Sequence, residues 1–265
     1  MGVTGIAPSP RFGHSSVTYG KDIVIFGGQG IQKEEDVPCC CFNDIFSFDT
    51  TKKGWTLLSD SGEDTGGKPK PCSRHSHTAV VTGTKMLIFG GESPVYGVLN
   101  DTWKFGFKSH EWKKIEPMSC NVPISREMHS ASVHDSIMYI IGGRDVNGNV
   151  LDDIWKYDEK RREWTKVNEA MTSGRCCHTS IALDKKMFVH GGCDDSNNIP
   201  GDITMIDLKT HSIQACAVTF ADKTLSRSFA RFGHACCLLG NSVVIFGGVT
   251  VSADLNDIFV LVRTE

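Results

Sequence analysis

Apolar residues in this chain gather into short runs that end at paired glycines. Lys21–Phe26, Lys85–Phe89 and Asn241–Phe246 are rich in β-branched and aromatic residues and stop at Gly27-Gly28, Gly90-Gly91 and Gly247-Gly248. Runs this short, bounded by glycine, predict buried strands. Further along, apolar and polar positions alternate, as in Phe46/Phe48, Trp103/Phe105 and Trp155/Tyr157. A period of two sets those side chains on one face of a further, half-buried strand. No stretch sustains the helical period with its caps, so the pattern predicts an all-β chain.

The pattern recurs. Gly-Gly follows an apolar run five times, at 27-28, 90-91, 142-143, 191-192 and 247-248, with intervals of 63, 52, 49 and 56 residues. Before each pair stands Arg-x-x-His: Arg11 with His14, Arg74 with His77, Arg126 with His129, Arg175 with His178, Arg231 with His234. Each His precedes its first Gly by 13 residues. After each pair comes an Asp (Asp44, Asp101, Asp153, Asp202, Asp257), and 11 residues beyond it stands Trp55, Trp112 or Trp164, with Ile213 in the fourth copy. The Arg-x-x-His segment supplies a strand before the glycines and the Trp segment one after them, which makes four strands per repeat. Sheets of this size cannot bury both faces alone, whereas repeats packed radially bury them against neighbours.

The Gly-Gly pair, the downstream Asp-aromatic strand and the spaced Trp resemble the Kelch-repeat family over nearly the whole chain. The resemblance implies a Kelch-type β-propeller, here a single domain over residues 1–265 with five four-stranded blades. Kelch propellers commonly have six blades, but no interval is long enough to conceal another repeat. The last copy stops after its third strand, and Gly2–Ile6 precede the first Arg, so the N-terminal segment is expected to complete the last blade. The competing expectation is a longer parent chain with a further blade beyond Glu265. Ala7–His14 is similar to the opening of propellers linked to serine/threonine phosphatases.

Composition narrows the function classes. The 265 residues carry 28 Lys+Arg against 31 Asp+Glu, a net charge of −3, with no extended basic run. That is not the footprint of a nucleic-acid binder. No stretch is long and apolar enough to span a bilayer as a helix, and the first ten residues lack the segments of a secretory signal. No membrane partner is expected. The 11 cysteines include Cys39-Cys40-Cys41, Cys176-Cys177 and Cys236-Cys237 but no Cys-x-x-Cys. This is not zinc spacing, and it points to reduced thiols in a cytoplasmic or nuclear compartment. Cys39–Cys41 lie beside Lys33, where a reactive thiol is weighed against ordinary exposed cysteine.

By the resemblance, the loops after Gly-Gly and those entering Arg-x-x-His emerge on one face. These are the variable segments: 29–42, 92–99, 144–151, 193–200 and 249–255, with 59–73, 116–125, 168–174 and 217–230 between repeats. Fixed strands with variable loops read as a scaffold presenting a recognition surface. Arg11, Arg74, Arg126, Arg175 and Arg231 are the candidate partner-binding residues, since guanidinium donors match carboxylate or phosphate. The alternative is that each pairs with an acidic neighbour and fixes packing. The repeated His is read as a repeated hydrogen bond rather than a metal ligand, and the glycines as backbone devices.

Enzyme signatures fall short. Gly62–Lys68 approaches a phosphate-binding loop, but Pro69 stands where the metal-reaching Ser or Thr belongs. Asn100-Asp101-Thr102 coincides with a repeat position, and Ile6 breaks the myristoylation pattern. Kelch-like copper oxidases need a Tyr-Cys cofactor, for which Tyr19, Tyr96, Tyr139 and Tyr157 find no convincing Cys and His set. Kelch-type iron-dependent specifier proteins carry a Glu-Asp-His set, of which Asp207 and His211 match part while Ile203 replaces the acid. The expectation is a non-catalytic module binding a protein or peptide, with an acidic ligand as the finer form, and with no cofactor or metal. It is the substrate-adaptor or scaffold part of a chain that can carry linked domains. The alternative is a metal-dependent small-molecule enzyme on the same scaffold.

Overall fold

The computed structural model describes residues 2–30, 40–62, 67, 69–221 and 229–262. Strands account for all regular structure among them, in antiparallel meanders whose order follows the sequence. The first sheet comprises Ser15–Tyr19, Asp22–Phe26, Ile45–Asp49 and Gly54–Ser59, and the second Thr78–Thr82, Lys85–Phe89, Thr102–Gly106 and Glu111–Ile115. The third comprises Ser130–His134, Ile137–Ile141, Ile154–Asp158 and Glu163–Lys166, and the fourth Thr179–Leu183, Lys186–His190, Ile203–Asp207 and Ile213–Cys216. The fifth holds Ala235–Leu239, Ser242–Phe246 and Ile258–Leu261. The apolar runs before Gly-Gly are thus second strands and the Asp-aromatic segments third strands, as their periodicity predicts.

The chain forms two compact units. One comprises Met1–Met118 with Ile124–Glu127 and contains the first two sheets; the other comprises Ser119–Pro123 with Met128–Glu265 and contains the remaining three. In the first unit, Val24, Phe26 and Ile45 of one sheet pack with Met86, Ile88, Trp103, Phe105 and Trp112 of the next. In the second unit, Tyr139, Ile141 and Ile154 pack with Met187, Val189 and Ile206, while Ile203 meets Phe229, Ile245 and Phe259. Period-two strands present one apolar set to each neighbouring sheet, which is why burial alternates so weakly along the second strands: both faces are covered.

The N-terminal segment departs from the expected closure. Thr4 pairs in parallel with Gly54: its N–H donates to the Lys53 carbonyl at 3.0 Å, and Trp55 N–H donates to the Thr4 carbonyl at 2.9 Å. It therefore extends the outer edge of the first sheet, and the fifth sheet keeps three strands among the described residues. The cause is local. The outer strand offers unpaired edge groups a few dozen residues away in sequence, and Gly5 at φ +78° allows the approach, since a Cβ there would lie 2.2 Å from the Trp55 carbonyl oxygen. On the fifth sheet, Leu239, Phe246, Ile258 and Val260 remain 70, 49, 64 and 57% exposed.

Candidate functional site

The invariant residues of the repeat form an internal frame. Arg74 is fully buried; its guanidinium donates to the Gly90 carbonyl at 3.0 Å and to both Asp101 carboxylate oxygens at 2.6 and 2.8 Å, while Nε donates to the Cys72 carbonyl at 3.2 Å. Trp103 Nε1 donates to the same carboxylate at 2.7 Å. Burial opposes charge on Asp101, but the Arg74 guanidinium outweighs it and holds the carboxyl below its ordinary range. Arg231 repeats the arrangement with Gly247 and Asp257, and Arg11 with Gly27 and Asp44. Aromatic rings back two of these cations: Phe42 lies 4.1 Å from the Arg11 guanidinium and Phe259 lies 4.8 Å from that of Arg231.

The same arginines bond back to the preceding repeat's glycines through their main chain. Their carbonyls accept from the second glycine of the preceding repeat, in Gly28 to Arg74 and Gly91 to Arg126 in one unit, and Gly143 to Arg175 and Gly192 to Arg231 in the other. Such closeness demands glycine: at Gly191 (φ +66°) a Cβ would lie 2.2 Å from the Arg231 carbonyl oxygen. The histidines supply the repeated bond expected of them. His77 Nε2 meets Ser15 Oγ at 2.8 Å, His178 meets Ser130 Oγ at 2.8 Å, and His234 meets Thr179 Oγ1 at 2.7 Å, each joining one sheet to the next.

Placement of the five candidate arginines follows from this frame. Arg74, Arg126 and Arg231 are 0% exposed and Arg175 2%, and the Arg11 side chain is only 4% exposed. Arg126 donates from Nε to the Ile124 carbonyl at 3.2 Å. Guanidiniums held this way are turned to internal partners, so a ligand would have to displace a carboxylate or a carbonyl to reach them. The fourth copy differs: Arg175 bonds Thr204 Oγ1 at 2.9 Å and keeps Asp202 only at 3.8 Å, with the Asp202 side chain 45% exposed.

Variation sits one residue along. The residue after each Arg is Phe12, His75, Glu127, Cys176 or Phe232, and the residue after each Gly-Gly is Gln29, Glu92, Arg144, Cys193 or Val249. The structure pairs Phe12 with Gln29, His75 with Glu92, Cys176 with Cys193 and Phe232 with Val249 as antiparallel bridges. The following position is left-handed in all five repeats: Gly13, Ser76, Met128, Cys177 and Gly233 have φ between 54° and 64°. It links neighbours within each unit, through Ser76 to Gly13, Cys177 to Met128 and Gly233 to Cys177. Three non-glycine residues thus hold a conformation that costs of order 1 kcal/mol each, at the edge where the variable loops begin. The sequence signal for these pairs was present: unlike the Arg and Gly they flank, their chemistry changes from repeat to repeat.

One such set has metal-ligand chemistry. A ring nitrogen of His75 and carboxylate oxygens of Glu92 and Glu127 all lie within 4.8 Å of one another, with His75 Nε2 3.9 Å from Glu92 Oε2. His75 Nδ1 is 3.0 Å from Ser76 Oγ, which orients the ring. These residues could hold a divalent cation. A different set breaks the repeat inside the second unit. His190 stands where Phe26, Phe89 and Phe246 stand in other copies, packs on Phe229 at 4.3 Å, and lies 3.1 Å from His234. Burial, with the neighbouring cations, pushes His190 down to about 4, and His178 and His234 down to about 3.

Other sequence candidates dissolve or fall outside. Cys40 is exposed, while Cys39 and Lys33 lie outside the described residues, as do 63–66 and Lys68 of the near-miss phosphate loop. Asp207 caps its own turn by accepting from Lys209 and Thr210 N–H at 2.9 and 2.8 Å. His211 follows it in a left-handed turn residue, φ 63°.

Comparison with known proteins adds identity to this geometry. The family model for the KLHDC2/KLHL20/DRC7 Kelch-repeats domain matches residues 1–192, and the Kelch motif matches residues 174–212. The chain is 26% identical over 261 residues to the "Leucine-zipper-like transcriptional regulator 1 homolog" of Drosophila melanogaster, covering 92% of this chain and 25% of that one. It is 28% identical over 251 residues to human "Kelch domain-containing protein 3" (90% of this chain, 64% of that one) and 27% over 219 residues to human "Kelch domain-containing protein 10" (79% and 47%). The chain thus spans between a quarter and just under two thirds of the length of these relatives. The likeness of residues 7–14 to phosphatase-linked propellers has no counterpart among the matches named here.

Proposed function

Because the chain belongs to the Kelch-repeat family, with the fold class of the β-propeller, we propose that it is a non-catalytic interaction module. It reads a peptide or protein through the loops that begin at the Arg and Gly-Gly segments. One observation carries the reading: a frame of repeated Arg–Asp, Arg–Gly and His–hydroxyl bonds supports adjoining residue pairs whose combined chemistry changes from repeat to repeat. Identical bonds conserve a shape, and non-identical side chains on that shape discriminate ligands. Exposed apolar groups beside the frame, Phe12 at 54% and Tyr96 at 70%, provide anchor surface of the kind recognition sites use. Preference for an acidic ligand is the finer part of the proposal. It rests on the recurrence of the five arginines, and an acidic ligand would reach them by displacing the internal partners that they now hold.

The test is binding to a fluorescent peptide array that spans acidic, neutral and basic sequences. Phe12→Ala and Tyr96→Ala are expected to weaken the best ligand at least tenfold at unchanged stability. Retained affinity in both would remove the loops from the reading, and equal affinity for acidic and basic peptides would remove its finer part. The second reading, a metal-dependent small-molecule enzyme, has one observation in favour, the His75, Glu92 and Glu127 set. Metal analysis after purification without chelators decides it. Stoichiometric metal lost in Glu127→Gln supports the enzyme, and metal-free active binding supports the module.

A further inference from the structure

We infer that Cys176 and Cys193 form a reversible intrachain disulfide, which makes the fourth repeat's variable pair a redox-sensitive modification site. The two residues are an antiparallel bridge in which each N–H donates to the other's carbonyl at 3.0 Å. A hydrogen-bonded pair of this kind holds its Cα atoms about 5.5 Å apart, near the middle of the range that disulfides span. The sulfurs already lie 3.5 Å apart. Bond formation therefore needs a rotation of two side chains and no main-chain rearrangement. The other bridged pairs, Phe12/Gln29, His75/Glu92 and Phe232/Val249, have no such chemistry.

With a peroxide as oxidant the reaction balances. The Cys193 thiolate, on the less buried of the two residues, attacks a peroxide oxygen and becomes a sulfenic acid as water leaves. The Cys176 sulfur then attacks the Cys193 sulfur, the S–O bond breaks, and a second water departs. Two thiols and one hydrogen peroxide yield one disulfide and two waters. The rate has a signature of the site. Contact with Cys177 pushes the Cys176 thiol up to about 11, and contact with Cys176 pushes Cys193 up as well. Thiolate is scarce at neutral pH, so oxidation should accelerate roughly tenfold per pH unit between about pH 7 and pH 9.

Cys177 is the competing partner, because it adjoins Cys176. The experiment treats the folded full chain with hydrogen peroxide, alkylates the remaining thiols and digests with trypsin without reductant. Mass spectrometry then seeks the linked peptides 176–185 and 187–209. The link is expected in the wild type and in Cys177→Ser, and absent in Cys176→Ser, in Cys193→Ser and after dithiothreitol. A link that survives in Cys176→Ser and disappears in Cys177→Ser would overturn the assignment. So would the absence of any link in folded wild-type protein under conditions that oxidise a small dithiol, or a rate that does not change with pH.

Discussion

Three buried histidines of the second unit make its stability depend on pH in a way that can be calculated. His178 and His234 are held down to about 3 and His190 to about 4, first by burial and then by neighbouring Arg175, Arg231 and each other. All three are neutral in the fold between pH 5 and neutrality, whereas in the unfolded chain each takes a proton near the ordinary histidine value of 6.5. The unfolded state binds the extra protons, so stability is full above pH 6.5 and is lost as pH falls toward the folded values. Each histidine costs about 1.4 kcal/mol between about pH 7.5 and pH 5.5, so the three together cost about 4 kcal/mol, a large share of a typical domain's stability. Within this window the folded state binds none of the three protons, so coupling between His190 and His234 does not enter the sum. Equilibrium urea unfolding across that pH range, followed by tryptophan fluorescence, measures the loss. His190→Phe restores the residue found in three other repeats and should lower the pH dependence by about a third, because one of three protons is removed. A loss below about 1 kcal/mol in the wild type, or an unchanged dependence in His190→Phe, would refute the reasoning.

Two further perturbations probe the frame. Arg74→Met leaves the Asp101 carboxylate in place without its partner and should cost about 3–5 kcal/mol, while Arg74→Met/Asp101→Asn should cost clearly less than the sum of the singles; chemical denaturation of the four proteins checks both. Gly191→Ala places a methyl against the Arg231 carbonyl at φ +66° and should cost at least about 2 kcal/mol, seen as a lower unfolding midpoint, whereas Gly233→Ala, with open space around the added carbon, should cost only the torsional part.

How much of this was legible beforehand follows from the range of each interaction. Strand positions depend on local periodicity, and Lys85–Phe89, Trp103/Phe105 and the paired glycines declare themselves because burial on both faces and positive φ each restrict residue type locally. Repetition supplied the rest: a single Arg-x-x-His could mean many things, but five at fixed spacing require a shared geometric role. That role, Arg74 closing on Asp101 and Gly90 or His77 on Ser15, needs partners 16 to 62 residues apart, and no local rule selects them.

The arginines illustrate the limit well. Sequence alone established that they recur and that they suit carboxylates; the carboxylates that Arg11, Arg74 and Arg231 meet are the protein's own. Whether a guanidinium faces solvent or Asp101 depends on which strands become neighbours, a property of the assembled sheets. The placement of Thr4 against Gly54 rather than in the fifth sheet depends in the same way on edge groups that exist only once the first sheet has formed. The bridges of Cys176 with Cys193 and of His75 with Glu92 likewise join positions that are merely variable along the chain. Local periodicity therefore determined the strands, because the forces behind them act within a few residues, and repetition marked the residues of the frame without naming their partners. Tertiary structure decided which side chains are consumed by that frame and which are left to act, because hydrogen bonds and ion pairs are satisfied by proximity in space.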